Sequence, residues 1–145
     1  MELPEEIRER FRRHGRTGGR RRAARLSPEA RRAVARHAVT SRWIRRRFGE
    51  SAFERLGLPG GDIIDAGLLD LAYSRPTRES LAVSLAAPRL RREGVPVGNV
   101  LDDPEHRLYE LLARAEGGLA HARYNALLQQ LVSFANACRS ARRAT

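Results

Sequence analysis

Apolar residues recur every three or four positions along most of the chain, a spacing typical of amphipathic helices. The pattern is clearest in the last third, where one apolar stripe runs through residues 102–118 and a second through residues 119–138. Gly117 and Gly118 separate the two stripes, which are therefore predicted to form an antiparallel helical hairpin. The predicted fold is all-α, with a basic N-terminal helical segment followed by a small helical bundle that ends in this long hairpin.

Proline, glycine and capping residues predict where the N-terminal helices begin and end. HGRTGG at residues 14–19 contains three glycines and is expected to break the first helix. Ser27 as N-cap and Pro28 at the first helical position are expected to begin a new helix. The apolar face of that helix is expected to consist of Ala30, Val34 and Ala38.

The middle of the chain is predicted to hold two further helices and a loop. DIIDAGLLDLA at residues 62–72 has an apolar helical face, and its aspartates are expected to form the edge that faces solvent. A helix that opens at Thr77 is expected to kink or end at Pro88. GVPVGNV at residues 94–100 contains two glycines and a proline, so an extended loop is predicted there in preference to a strand.

Charge divides the chain near residue 48. All 28 basic residues are arginine. Residues 1–48 hold 16 arginines and 5 glutamates, a net charge of +11, whereas residues 49–145 hold 12 arginines and 12 acidic residues and are neutral. This asymmetry predicts a basic nucleic-acid-binding segment at 1–48 and a neutral helical partner-binding domain at 49–145.

The arginines of the first segment are the candidate nucleic-acid ligands. A solvated helical surface is the alternative explanation for such a charge run. However, eleven uncompensated positive charges in 48 residues repel one another unless a bound anion neutralises them. Arginine pairs bidentately with phosphate and stacks on bases. DNA is favoured over RNA as the partner. The residues predicted to bind it are Arg16, Arg20, Arg21, Arg22, Arg25, Arg31, Arg32 and Arg36.

The chain lacks the residue patterns that carry catalysis or metal binding. It has no GxxxxGK[ST], GxSxG or HExxH motif, and its four histidines have no cysteine or histidine at ligand spacing. Asp102 and Asp103, immediately before Pro104, are expected to cap a helix, and Cys138 is expected to be a small core residue. No enzyme activity, metal, cofactor or small-molecule substrate is therefore predicted.

Hydropathy predicts a cytoplasmic location and no membrane partner. No apolar run approaches the roughly 18 residues that a transmembrane helix needs, and MELPEEIRER lacks an apolar signal core. Residues 18–43 also lack the Trp, Phe and Leu wedge of interfacial helices. The single cysteine cannot form an internal disulfide.

GGRRRAARLSPEARRAVARHAVTSRW, at residues 18–43, resembles a short element of many small basic bacterial proteins. The element has Gly-Gly, a basic pair, Leu-Ser-Pro-Glu, Ala-Arg and a closing Arg-Trp. The resemblance implies a nucleic-acid-associated or regulatory protein and fixes no reaction. Here the matching positions are Gly18, Gly19, Arg21, Arg22, Ala23, Leu26, Ser27, Pro28, Glu29, Arg31, Ala35, Arg36, Ala38, Arg42 and Trp43.

The remainder of the chain, especially DDPEHRLYELL and HARYNALLQQLVSFANACR, is similar to helical antitoxins that are paired with nucleotidyltransferase-type toxins. The resemblance implies a regulator whose basic segment binds DNA and whose helical domain neutralises a protein partner. The basic charge of the chain departs from the acidic character of many antitoxins. The alternative is a stand-alone, sequence-tolerant DNA- or RNA-binding protein. The residues predicted to contact a protein partner are Leu108, Leu111, Leu112, Tyr124, Leu128, Leu131 and Phe134. For each of them the alternative is a place in the protein's own core, the commoner position of a leucine stripe.

Overall fold

The structure is a computed structural model that describes residues 4–143, with side chains described to residue 141. Within this range the chain forms α-helices and two short 3-10 turns and contains no strand, which confirms the all-α prediction. The 3-10 turns lie at Glu54–Leu56 and Gly117–Leu119. The helices are α1 (Glu5–Arg25), α2 (Pro28–Phe48), α3 (Gly61–Ala72), α4 (Arg78–Arg92), α5 (Pro104–Glu116) and α6 (Ala120–Arg143).

Helix α1 runs without interruption through HGRTGG, so the predicted break at residues 14–19 is wrong. Glycine in a helix interior costs only about 1 kcal/mol relative to alanine, which weakens a helix without ending it. Acidic residues in its first turn and arginines in its last turn complement the helix dipole. Helix α1 ends at Arg25 because Pro28 holds the preceding Ser27 in an extended conformation (φ −61°, ψ 159°).

Helix α2 begins where the capping signals place it but packs through a different face from the one predicted. The Ser27 hydroxyl accepts a hydrogen bond from the Ala30 amide at 3.1 Å, which confirms the N-cap. Val34 is 45% exposed, and Ala38 is also exposed. The buried residues of α2 are Ala33, Thr40 and Ile44. The predicted stripe is wrong because alanines lie on several sides of α2, so only its neighbours decide which side is covered.

Helix α4 lies at the centre of the fold and packs against α3, α5 and α6. Seven of its residues are buried, and two of these are serines whose hydroxyls donate to main-chain carbonyls. Its N-cap at Thr77 is confirmed by a capping box with Ser80. Pro88 lies inside the helix and does not end it. Pro88 is exposed and removes only one hydrogen bond. Leu90, two residues later, is fully buried within the same helix.

Four aromatic rings join the end of α2 to α6. Phe53 lies at the centre of this cluster, is fully buried, and meets the Phe134 ring edge-to-face at 4.8 Å between centroids. Trp43 and Phe48 pack against the same ring at 6.4 and 6.0 Å. The second half of α2 therefore shares its core with residues 49–145, although its arginines belong to the basic segment.

The loop at residues 94–100 agrees with the prediction, whereas two aspartates depart from their expected roles. Residues 94–100 form no regular element, as predicted. Asp103 occupies the N-cap of α5 in a left-handed conformation (φ 46°) and its side chain makes no capping hydrogen bond, so the predicted side-chain cap is wrong. Asp65, expected to face solvent, instead accepts hydrogen bonds from the amides of Phe53 and Glu54 at 3.0 and 2.9 Å.

Candidate nucleic-acid interface

Helix α1 is the most exposed element of the described chain and buries none of its residues. It carries nine arginines between residues 8 and 25. At 100° per residue these arginines are spread around the whole circumference of the helix. An element with no packed face and charge on every side has no structural role in the core, so its surface is available to a ligand.

All eight arginines predicted to bind nucleic acid are exposed. No carboxylate of residues 4–141 lies within 4.0 Å of a guanidinium nitrogen of any of the eight. In the neutral part, by contrast, five of the ten arginines of residues 49–141 form ion pairs, Arg123–Glu116 and Arg139–Glu93 among them. The positive charge of residues 16–36 is therefore uncompensated in three dimensions as well as in the sequence.

The structure brings some of these arginines together and separates others. Arg16 and Arg20 line a crevice of about 260 Å³ along one side of α1, together with Arg12, Arg13, Thr17 and one acidic residue, Glu9. Arg36 lies apart from them on α2, where its Nη1 atom donates to the Ala72 carbonyl at 3.5 Å. The glycines of HGRTGG are helical, so no loop interrupts the row of arginines on α1.

The residues predicted to contact a protein partner divide into two groups. Leu108, Leu112, Leu131 and Phe134 are at most 2% exposed and belong to the protein's own core, so a partner cannot reach them in this conformation. Their helical stripe is buried because α5 and α6 pack on each other and on α4. The residues that remain partly accessible are Leu111, Tyr124 and Leu128.

Two accessible residues beside that group were missed by the sequence analysis. Tyr109 is 41% exposed, and its ring meets the Tyr124 ring edge-to-face at 5.9 Å. Val132 is 38% exposed and lies one helical turn beyond Leu128. The usable signal was their position beside the leucine stripe, since an aromatic or branched residue off the core face of a helix remains exposed.

Tyr109 and Tyr124 also line an open crevice of about 410 Å³ with Asp103, Glu105 and two histidines. Burial raises the pKa of Tyr124 above its ordinary value of 10.0, and the nearby Glu105 carboxylate adds to the shift through its charge and a hydrogen bond. Both effects favour the neutral phenol. Within the described residues, no three His, Cys, Asp or Glu side chains are grouped so that they would hold a metal ion.

Neither a membrane-spanning helix among the described residues nor a similar protein was found. Among the helices that the structure describes, none combines the length and apolar character needed to cross a bilayer. Comparison with protein-family models, with curated proteins and with solved structures gave no match to this chain.

Proposed function

We propose that the protein is a DNA-binding regulator of antitoxin type that acts in the bacterial cytoplasm. In this proposal α1 and the solvent-facing side of α2 bind the DNA backbone. The observation that supports it is the set of eight exposed arginines without carboxylate partners, whereas half of the described arginines of the neutral part are in ion pairs. Uncompensated guanidinium groups of this density favour a polyanion as ligand.

The shape of α1 favours a duplex with an accessible major groove. A helix of 21 residues is about 32 Å long at 1.5 Å per residue. The major groove of B-DNA admits an α-helix between two phosphate walls, as the basic regions of leucine-zipper proteins illustrate. Arginines on every side of α1 match two walls better than a single flat strand. The deep, narrow major groove of A-form RNA does not admit side chains in this way, which favours DNA.

Salt dependence and a charge-neutralising variant test DNA binding. If about six arginines contact phosphates, log affinity for a labelled duplex should fall with log salt at a slope near −5. Replacing Arg20, Arg21 and Arg22 by glutamine removes three contacts and should reduce the slope by about 2.7. Glutamine has a similar helix propensity, so α1 should persist. Fluorescence anisotropy over a range of salt concentrations measures both slopes.

A matched variant controls for the loss of net charge. Arg55, Arg89 and Arg92 are exposed and lie outside the basic segment. Their triple glutamine variant loses the same three charges and should retain the wild-type slope within about one unit. Equal losses of affinity in the two triple variants would show that only net charge matters and would refute an interface on α1 and α2.

The neutral part is proposed to bind a protein partner such as a nucleotidyltransferase-type toxin. Since four of the seven predicted contact residues are buried, the proposed surface consists of accessible residues along the flank of α5 and α6. Aromatic side chains anchor many interfaces because they bury a large area at small entropic cost. The surface contains Tyr109, Tyr124, Leu128 and Val132. Leu111 lies about 200° from Tyr109 around α5 and lines a separate crevice with Pro76 and Leu81, so it is not part of this surface.

Affinity purification from the native cells, with and without nuclease, tests this second part. A protein retained in one-to-one ratio after nuclease treatment supports the partner, provided that Tyr109→Glu abolishes its retention. Tyr109 is exposed, so the variant should fold. Loss of all bound protein on nuclease treatment favours the alternative, a stand-alone and sequence-tolerant nucleic-acid-binding protein. The burial of four predicted contact residues is the observation that favours this alternative.

A further inference from the structure

A cavity of about 300 Å³ lies between α2, α3 and the loop that follows α4. Its floor consists of apolar groups from α3, namely Leu68, Leu71 and Ala72, which are at most 9% exposed. Its volume is at the lower end of the roughly 300–1,000 Å³ that small-molecule pockets occupy. The cavity therefore suits the apolar body of a small ligand.

The loop wall of the cavity is held in place before any ligand binds. The Arg91 side chain donates from Nε to the Val97 carbonyl at 3.3 Å and from Nη2 to the Gly98 carbonyl at 2.7 Å. Pro96 lies in the same wall and fixes its own φ angle. A preformed wall reduces the ordering cost of binding.

One charged group lines this apolar cavity, and it is the guanidinium of Arg36. Its only hydrogen bond among the described residues is the contact of 3.5 Å with the Ala72 carbonyl, which leaves most of its five N–H groups available. The lining contains no acidic residue, and the other polar side chains in it are those of Thr40 and Asn99. An apolar cavity with an unpaired guanidinium complements a molecule with an apolar body and one carboxylate.

We propose that this cavity binds a small amphipathic carboxylate, with the alkyl or aryl part against α3 and the carboxylate on Arg36. Arginine and carboxylate form bidentate, charge-assisted hydrogen bonds, which are stronger beside an apolar surface than in open water. Arg36 thus acts as a ligand-binding residue at a site separate from the arginines of α1. Of the eight arginines proposed above to contact DNA, this assigns Arg36 to the carboxylate and leaves the other seven to the DNA backbone, so the proposal goes beyond DNA binding and does not depend on it.

Calorimetric titration of the full-length protein with sodium octanoate tests the proposal. One molar equivalent should bind. Each methylene removed from the chain should weaken binding by about fourfold, because each buried methylene contributes a roughly constant transfer free energy. Octanamide, which has the same chain and no charge, should bind between roughly 10 and 100 times more weakly. Octylammonium should not bind, since its charge is opposite to that required.

Two variants locate the binding. Arg36→Met keeps an unbranched side chain without the charge and should weaken octanoate binding by the same 10- to 100-fold, while octanamide binding changes little. Val39→Trp places a larger side chain at a lining position that is 52% exposed, so the protein should fold while the cavity is obstructed. Both carboxylate and amide should then lose affinity.

The control is Arg31→Met, which removes one exposed charge from the same helix outside the cavity lining. It should leave octanoate affinity unchanged. Binding of several octanoate molecules per chain, equally reduced by Arg31→Met and Arg36→Met, would show general attraction of anions to a basic surface and would overturn the proposal. Absence of octanoate binding by the wild-type protein would overturn it as well.

Discussion

At Gly67 the helices α3 and α4 approach each other so closely that no side chain fits between them. A Cβ atom at this position would overlap Val83 Cγ2 and would lie 2.6 Å from the carbonyl oxygen of Glu79. Val83 is fully buried and β-branched, and a valine in a helix strongly prefers one χ1 rotamer, so its side chain is costly to move. The Glu79 oxygen belongs to the backbone of α4. Gly67→Ala therefore requires the two helices to separate.

The size of the effect follows from two opposing contributions. An extra methyl group in a packed core costs about 1–3 kcal/mol, and the upper end applies here because the methyl group meets main chain. Alanine restores about 1 kcal/mol relative to glycine in a helix interior. The free energy of unfolding should fall by about 2 kcal/mol. For a chain of 145 residues this corresponds to a decrease in Tm of roughly 4–8 °C.

Thermal unfolding followed by far-ultraviolet circular dichroism measures this decrease, and Gly15→Ala is the matched control. A Cβ atom at Gly15 meets nothing within 4 Å, and α1 buries none of its residues. The control should increase helicity slightly, because alanine favours helix by about 1 kcal/mol, and should not lower Tm. A Tm for Gly67→Ala equal to or above the wild-type value would refute the close approach of α3 and α4.

Two further predictions concern groups whose environment is set by tertiary contacts. Asp65→Ala should lower the free energy of unfolding, measured by urea denaturation, by about 2–3 kcal/mol, because the amides of Phe53 and Glu54 lose a charged acceptor. Asp65→Asn should lower it by a smaller amount, since the amide oxygen can still accept. Equal free energies of unfolding for the wild type and both variants would contradict this role of Asp65. The pKa of Tyr124 is raised, so its contribution to stability is fully present below pH 10 and is lost as pH rises through the folded-state pKa. In the Glu105→Gln variant the Tyr124 pKa should fall towards its ordinary value, while the part of the shift that burial causes remains. NMR of the ring carbon that bears the hydroxyl measures this pKa. An unchanged pKa would exclude Glu105 as a cause.

The sequence by itself determined the features that depend on interactions between residues close together in the chain. Ser27 before Pro28, and Thr77 three residues before Ser80, begin helices because each hydroxyl satisfies an amide within its own first turn. In the apolar stripes of α5 and α6, the positions that the spacing predicts to face the core and that are buried are Leu108, Leu112, Leu127, Leu131, Phe134 and Cys138. The charge asymmetry is also a property of the sequence alone, and its interpretation as a DNA-binding surface stays a prediction.

Tertiary structure alone decided which faces are used. The covered side of α2 is that of Ala33, Thr40 and Ile44, since small residues on several sides leave the choice to the shape of α3. Tertiary packing also brings Asp65 of α3 to the amides of Phe53 and Glu54, and it places Arg36 beside Ala72, apart from the arginines of α1. These features depend on groups up to 36 residues apart. Spacing within one helix carries no information about them, because they arise only when one helix surface meets another.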